Sequence, residues 1–207
     1  GLVSHRRLSN GDDKPYELNI SWWSAMEDSS RDAKRFQYER FILSQLLVMA
    51  LKGVPAFYLP ALLASENDIK SFSMTGQRRD LNREKFKSEN LSAVLNNPES
   101  NANKNLKYLR NAMDVRSELK QFHPCSEMKC LSKGRSDIVV IKRGKGPESV
   151  FAIHNMTENK INYQLNDNDL PKIIDNDFNT HEFLTSTKYN CKNISLDPFQ
   201  VIWLSAL

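Results

Sequence analysis

Cysteine is scarce in this sequence: three residues, at 125, 130 and 191, among 207. An odd number without CxxC spacing indicates neither a disulfide framework nor a cysteine metal site, and the expectation is free, buried thiols. Long apolar runs are also missing. The longest, residues 41–51, is interrupted by Ser44 and Gln45 and is too short for a bilayer. No basic region followed by an apolar one and a small-residue cleavage site opens the chain, so the expected location is cytoplasmic. Sequons at Asn19, Asn90, Asn155 and Asn193 would matter only in a secreted protein. Neither sign of charge dominates, with 29 basic against 25 acidic residues and a net charge of +4. No basic run is interleaved with aromatics, which argues against a nucleic-acid partner. The histidines at 5, 123, 154 and 181 are dispersed, without HxH or HExxH spacing, and GxSxG, Walker and GxGxxG patterns are absent. No self-contained catalytic set is legible, and no metal or organic cofactor is indicated. His154, inside an expected strand, reads as structural.

What is present is an ordinary folded composition, 40% hydrophobic and 26% charged. The organising stretch is residues 53–86. Its apolar run 54–59 has the length and β-branched or aromatic content of a strand buried on both faces of a parallel sheet. A segment dense in charge and amide follows, with Glu66, Asn67, Asp68, Arg78, Arg79, Asp80, Asn82 and Arg83. In α/β folds ligands sit at the carboxyl ends of strands, so this loop is the candidate site; the alternative is a solvated connection whose charges pair with one another.

Upstream, residues 1–15 read as an exposed loop or hairpin tip around Asn10-Gly11, and residues 16–23 as a buried extended segment or a rigid loop against a core. Trp22 and Trp23 could stack on a sugar, although core filling is the commoner fate of such residues. Apolar spacing predicts helices over 32–52, with caps among residues 28–31, and over 105–121. A short helix is expected over 59–64 and a mobile connection over 86–104. The class then changes. Residues 137–142, 149–154, 160–165, more weakly 182–185, and 200–204 read as short strands of a small antiparallel domain, with the boundary near Cys125.

Gly53, Val54, Pro55, Ala56, Phe57 and Tyr58, then Leu62, Leu63, Glu66, Asn67 and Asp68, and Arg79, Asp80, Leu81, Asn82, Arg83 and Glu84 resemble the last barrel strand and following loop of sucrose-phosphorylase-like enzymes of glycoside hydrolase family 13. The similarity extends upstream to Gly1, Leu2, Val3 and Ser4 and to Tyr16, Glu17, Leu18, Asn19 and Ile20, and downstream to the closing residues 197–204. The Tyr-Glu-Leu-Asn and Asn-Arg-Glu-Lys wording is nearer glucosylglycerate phosphorylases than sucrose phosphorylases. The resemblance implies an α/β fold, the C-terminal part of a (β/α)8 TIM barrel (1–124) followed by a small antiparallel β-sheet domain (125–207).

It further implies a fragment of a retaining α-glucoside phosphorylase, acting on glucosylglycerate or a sucrose-like glucoside with inorganic phosphate. The alternatives are an α-glucosidase or transglucosidase of the same family, or a non-catalytic carbohydrate-binding module. Retention needs two carboxyl groups flanking the scissile bond, and in the family these stand on strands that would precede Gly1. The chain by itself is therefore expected to be inactive and to depend on the remainder of the barrel. Arg79 matches the arginine that hydrogen-bonds the donor glucose, a task suited to a permanently charged fork of donors, with an ion pair to Asp80 as its alternative. Glu17, with Tyr16, stands where sucrose phosphorylases carry Tyr-Gln facing acceptor and phosphate. A carboxylate there repels anions and accepts from hydroxyls. Arg6 or Arg7 could bind a carboxylate or phosphate, and Asn82 and Arg83 would hold the loop's shape.

Overall fold

The computed structural model describes residues 1–28, 32, 34–166 and 179–205. In chain order these form β1 (Leu2–Arg7), β2 (Asp13–Asn19), α1 (Trp22–Ala25), α2 (Gln37–Ala50), α3 (Leu59–Leu62) and α4 (Ile69–Thr75). A 3-10 turn (Arg78–Asn82), α5 (Ser88–Asn96), α6 (Asn101–Glu118) and a second 3-10 turn (Lys120–Phe122) follow. Strands β3 (Met128–Cys130), β4 (Ile138–Arg143), β5 (Val150–Asn155), β6 (Ile161–Tyr163), β7 (Asn179–His181), β8 (Lys188–Asn190), β9 (Ile194–Leu196) and β10 (Val201–Ser205) complete the chain. The residues fall into two compact units, Gly1–Gln37 with Phe57–Tyr108, and Tyr38–Ala56 with Leu109–Leu207.

The second unit is built on an antiparallel sheet in the order β10-β5-β4-β3. β5 is buried along its whole length and β4 at four of six positions, because both sides of the sheet are covered. Side chains alternate across a strand. Ile138, Val140, Phe151, Ile153, Ile202 and Leu204 therefore share one face, packed with Leu165, Cys191, Ile194 and Leu196. The opposite set, with Ile141, Arg143, Ala152, His154 and Trp203, meets α2 and Phe122. The Trp203 ring lies 4.7 Å from that of Phe122.

Two arginines finish α2. A helix leaves its last carbonyls without intrahelical donors, and Arg143 supplies donors from the sheet. Its Nη1 reaches the Ala50 and Leu51 carbonyls at 2.9 and 2.7 Å, and its Nη2 reaches the His123 carbonyl at 2.9 Å. Arg116 adds Nε to the Met49 carbonyl at 2.9 Å and Nη2 to the Gly53 carbonyl at 3.0 Å. Both guanidiniums stand over the Phe122 ring, 5.9 and 5.4 Å from its centroid. Burial lowers the pKa of each, and the Arg116 charge lowers that of Arg143 further. From the arginine starting point both remain charged.

His154 is fully buried on the same face of β5, with Nδ1 3.2 Å from the Val139 carbonyl. Burial pushes its pKa down to about 4, against the smaller opposing pull of the Val139, Leu46 and Ala152 carbonyls. The native state thus holds a neutral ring while the unfolded chain takes up a proton below its ordinary pKa. Stability is complete above about pH 6.5 and falls as pH drops toward 4, by on the order of 3 kcal/mol in all. Urea unfolding at pH 7.5, 6 and 5 should show that slope in the native chain and a flatter one in His154→Gln. Equal slopes would refute it.

Several expectations need correction. Residues 54–58 form no strand; among the described residues the run has no partner strand, and Val54 is 80% exposed. A parallel strand draws its backbone partners and its cover from neighbours, and none stands beside this one. Residues 16–19 are strand, but Tyr16 and Leu18 are exposed at 64% and 58% rather than buried. The connection over 86–104 is largely helical, α5 ending where Asn97-Pro98 breaks it. Cys125 and Cys130 are exposed and only Cys191 is buried. The predicted caps at 29–31 lie outside the described residues. Of the sequon asparagines, Asn19 and Asn155 are fully buried, and Asn155 Nδ2 donates to the Asn159 and Asp197 carbonyls at 2.7 and 2.8 Å. No helix among the described residues is long and apolar enough to cross a membrane.

Candidate functional site

The charged loop of the first unit is folded by its own side chains. Asp68 caps α4 by accepting from the Ser71 N–H at 2.9 Å, and the Ser71 contacts hold its carboxyl below the usual range. Its own N–H donates to the Leu81 carbonyl at 2.8 Å, tying α4 to the 3-10 turn. Gly76 ends α4 at φ +66, the left-handed region that suits glycine. Thr75 Oγ1 then donates to Asp80 at 2.7 Å, and Leu81 is buried beneath. Asn67 looks the other way. Its Oδ1 accepts from the Ser21 N–H at 2.7 Å, and its N–H donates to Ser24 Oγ at 3.1 Å, so it anchors α1. Asn67, Asp68 and Asp80 thus shape the loop.

Arg78 and Arg79 project from the turn onto the β1–β2 hairpin. Arg78 Nη1 donates to the Val3 carbonyl at 2.6 Å. Arg79 Nε lies 3.4 Å from Glu17 Oε1, longer than a tight charge-assisted bond of about 2.8 Å, with the two side chains 56% and 32% exposed. Two residues singled out separately, 62 positions apart, are therefore brought together. The alternative partner, Asp80, is engaged by Thr75. Tyr16 neighbours Glu17 on β2 and is exposed. Arg6 and Arg7 pair with Lys14 and Asp13 toward the hairpin tip, away from Ser4, which stands opposite Glu17.

Of the two tryptophans, Trp23 is core and Trp22 is 46% exposed. Trp22 lines a hollow of about 280 Å³ with Tyr58, Pro60 and Asn82, the last belonging to the turn that carries Arg79. A larger pocket of about 640 Å³, bordered by Ser65, Glu66, Lys70, Lys85 and Asn90, includes none of Tyr16, Glu17 or Arg79. It mixes three lysines with three acids and has no charge preference that would select a ligand. Among the described residues no group of three or more His, Cys, Asp or Glu is placed to hold a metal ion. In the sequence Arg78 is one polar group of the loop among several; its pairing with a backbone carbonyl 75 residues away leaves no sequence signal.

No protein-family model matches the chain. It is 31% identical over 159 residues to a glucosylglycerate phosphorylase of Allomeiothermus silvanus, covering 76% of this chain and 28% of that protein. The Escherichia coli glucosylglycerate phosphorylase is 22% identical over 204 residues, 98% of this chain and 34% of the relative. A sucrose phosphorylase of Streptococcus mutans is 27% identical over 96 residues, 46% of this chain and 18% of that protein. The chain thus spans about a third or less of the length of the curated relatives it matches. Among solved structures, trehalose-6-phosphate hydrolase of Bacillus licheniformis superposes with a TM-score of 0.58 at 16% identity, over 88% of this chain and 41% of that one. AmyP E221Q in complex with maltotriose gives 0.64 at 14% identity, over 82% and 35%. These likenesses concern the fold, that of the C-terminal part of a (β/α)8 barrel followed by a small antiparallel sheet domain.

Proposed function

We propose, from a chain that is a sucrose-phosphorylase-like part of glycoside hydrolase family 13, that it supplies the acceptor-facing wall of a retaining α-glucoside phosphorylase. The whole protein would cleave glucosylglycerate, or a sucrose-like glucoside, with inorganic phosphate to give α-glucose 1-phosphate. Residues 1–124 would belong to the barrel and 125–207 to the β domain. The observation that carries this reading is the meeting of Arg79 and Glu17 at one exposed spot.

The chemistry suits the two side chains. The Arg79 guanidinium donates to hydroxyls of the donor glucose without ever losing its charge. Glu17 accepts from hydroxyls of the departing group. An exposed pair at 3.4 Å contributes little to stability, well under about 1 kcal/mol, so a sugar can separate the partners at small cost. The carboxylates that attack the anomeric carbon and protonate the leaving oxygen would come from the rest of the barrel, and these 207 residues alone would be inactive. No cofactor is invoked, and with a cytoplasmic location phosphate is at hand.

The test uses the complete reading frame, supplied with glucosylglycerate or sucrose, with and without phosphate. Release of α-glucose 1-phosphate only with phosphate, and faster from glucosylglycerate, is expected. Release of free glucose at a rate indifferent to phosphate would place the protein with the hydrolases and overturn the proposal.

A further inference from the structure

We propose that Arg78 is a positioning residue for this site: its bond to the Val3 carbonyl locks the β1–β2 hairpin against the 3-10 turn, so that Tyr16 and Glu17 stand over the group Arg79 holds. The inference rests on the phosphorylase-like reading above for its catalytic consequence, but not for its geometry.

In a 3-10 turn there are three residues per revolution, so consecutive side chains leave it about a third of a turn apart. Arg78 and Arg79 use that divergence to take the two strands of one hairpin. Arg78 grips β1 through the Val3 carbonyl at 2.6 Å, and Arg79 reaches β2 through Glu17 at 3.4 Å. The register makes these neighbouring points, since Val3 faces Leu18 and Ser4 faces Glu17. The register shift between Ser4 and His5 falls immediately beyond. Ser4 Oγ also donates to Asn19 Oδ1 at 2.8 Å across the hairpin. Val3, Tyr16 and Leu18 are exposed, so little apolar burial holds this ribbon down, and a lone two-stranded hairpin is marginal in water. The short bond from Arg78 is the firmer of the two grips. Because its acceptor is a backbone carbonyl, the hold does not depend on the side chain at position 3 and survives when a substrate draws Arg79 away from Glu17.

A single donor to a single carbonyl can be supplied by lysine, whereas a guanidinium that bound an anion through its fork could not be so replaced. Hydrogen exchange of the complete protein over residues 2–19 is the first arm. Arg78→Ala should speed hairpin exchange about tenfold, the equivalent of one lost bond, leave β4 and β5 unchanged, and be largely reversed in Arg78→Lys. Unchanged hairpin exchange would overturn the proposal. In the complete protein, Arg78→Ala should raise KM for the glucoside about tenfold with kcat altered less than about threefold, the pattern of weakened ground-state placement. Arg78→Lys should restore it. A fall in kcat at unchanged KM, or failure of lysine to rescue, would mean that Arg78 acts on the substrate itself and the inference is wrong. Should the native protein show no phosphate-dependent transfer, the functional reading falls, and hydrogen exchange alone decides whether Arg78 holds the hairpin.

Discussion

Arg143→Met is expected to lower the unfolding free energy by about 2–4 kcal/mol, because it leaves one buried and two part-buried carbonyls without their charged donor. Methionine fills much of the same space and admits little water, which isolates the electrostatic and hydrogen-bond loss from a cavity. A buried ion pair can be exchanged for apolar residues at little cost when both partners are replaced. Here the partners are the Ala50, Leu51 and His123 carbonyls, which no side-chain substitution removes. The Ala50 carbonyl is left in a dry setting with an unmet acceptor, at about 1–3 kcal/mol before relaxation, and the part-buried Leu51 and His123 carbonyls, which water can reach, add less. Arg116→Met should cost less, about 1–2 kcal/mol, because Arg116 is only half-buried and water can replace part of its bonding. Denaturant unfolding followed by tryptophan fluorescence reports both, since Trp203 lies fully buried on the same face. Near-equal effects, or a loss under 1 kcal/mol at position 143, would show that the clamp is not what finishes α2.

Arg79→Ala in the complete protein is the second large effect, a fall of about 100-fold or more in kcat/KM for phosphate-dependent transfer. Each hydrogen bond from a charged donor to a sugar hydroxyl contributes about 1.5–3 kcal/mol, and 1.4 kcal/mol is a factor of ten. Arg79→Lys should recover little, because a point charge cannot present the guanidinium fork. Glu17→Gln separates the partners: it keeps the shape, removes the negative charge beside Arg79, and should lower KM for phosphate. Initial rates at varied phosphate and glycoside resolve all three. A change under threefold in Arg79→Ala would remove this arginine from substrate binding.

The β domain was readable because its signal is local. In 137–142, 149–154 and 200–204 the β-branched and aromatic residues sit where strands β4, β5 and β10 form, since burial on two faces favours them on both sides of the strand. The hairpin was half readable. Asn10-Gly11 announced the turn, and Gly11 takes φ +90 there, but the flanking His5, Arg6, Arg7, Asp13 and Lys14 carry no strand pattern, for this ribbon has no buried face to impose one. The run at 54–59 misled for the opposite reason. Its composition asks for a sheet on both sides, and sheet pairing is a property of neighbours, not of the segment. Arg79 and Glu17 were each visible through motif resemblance, yet their meeting is a fact of tertiary structure, as are the carbonyls that Arg78 and Arg143 seek at separations of 75 and 92–93 residues.

That last separation sets an order of events during synthesis. The second unit takes residues 38–56 and then nothing until 109; α2 gains the Arg116 donors first, and its Ala50 and Leu51 carbonyls are met only when Arg143 has been made. At roughly 5–20 residues per second, the Ala50 and Leu51 carbonyls wait about 5–20 s on the ribosome for their partner. Long loop closures of this kind fold late and slowly. Vectorial folding from the N-terminus cannot complete the unit in which α2 sits, and the helix matures with the sheet that follows it, as the last step and not the first.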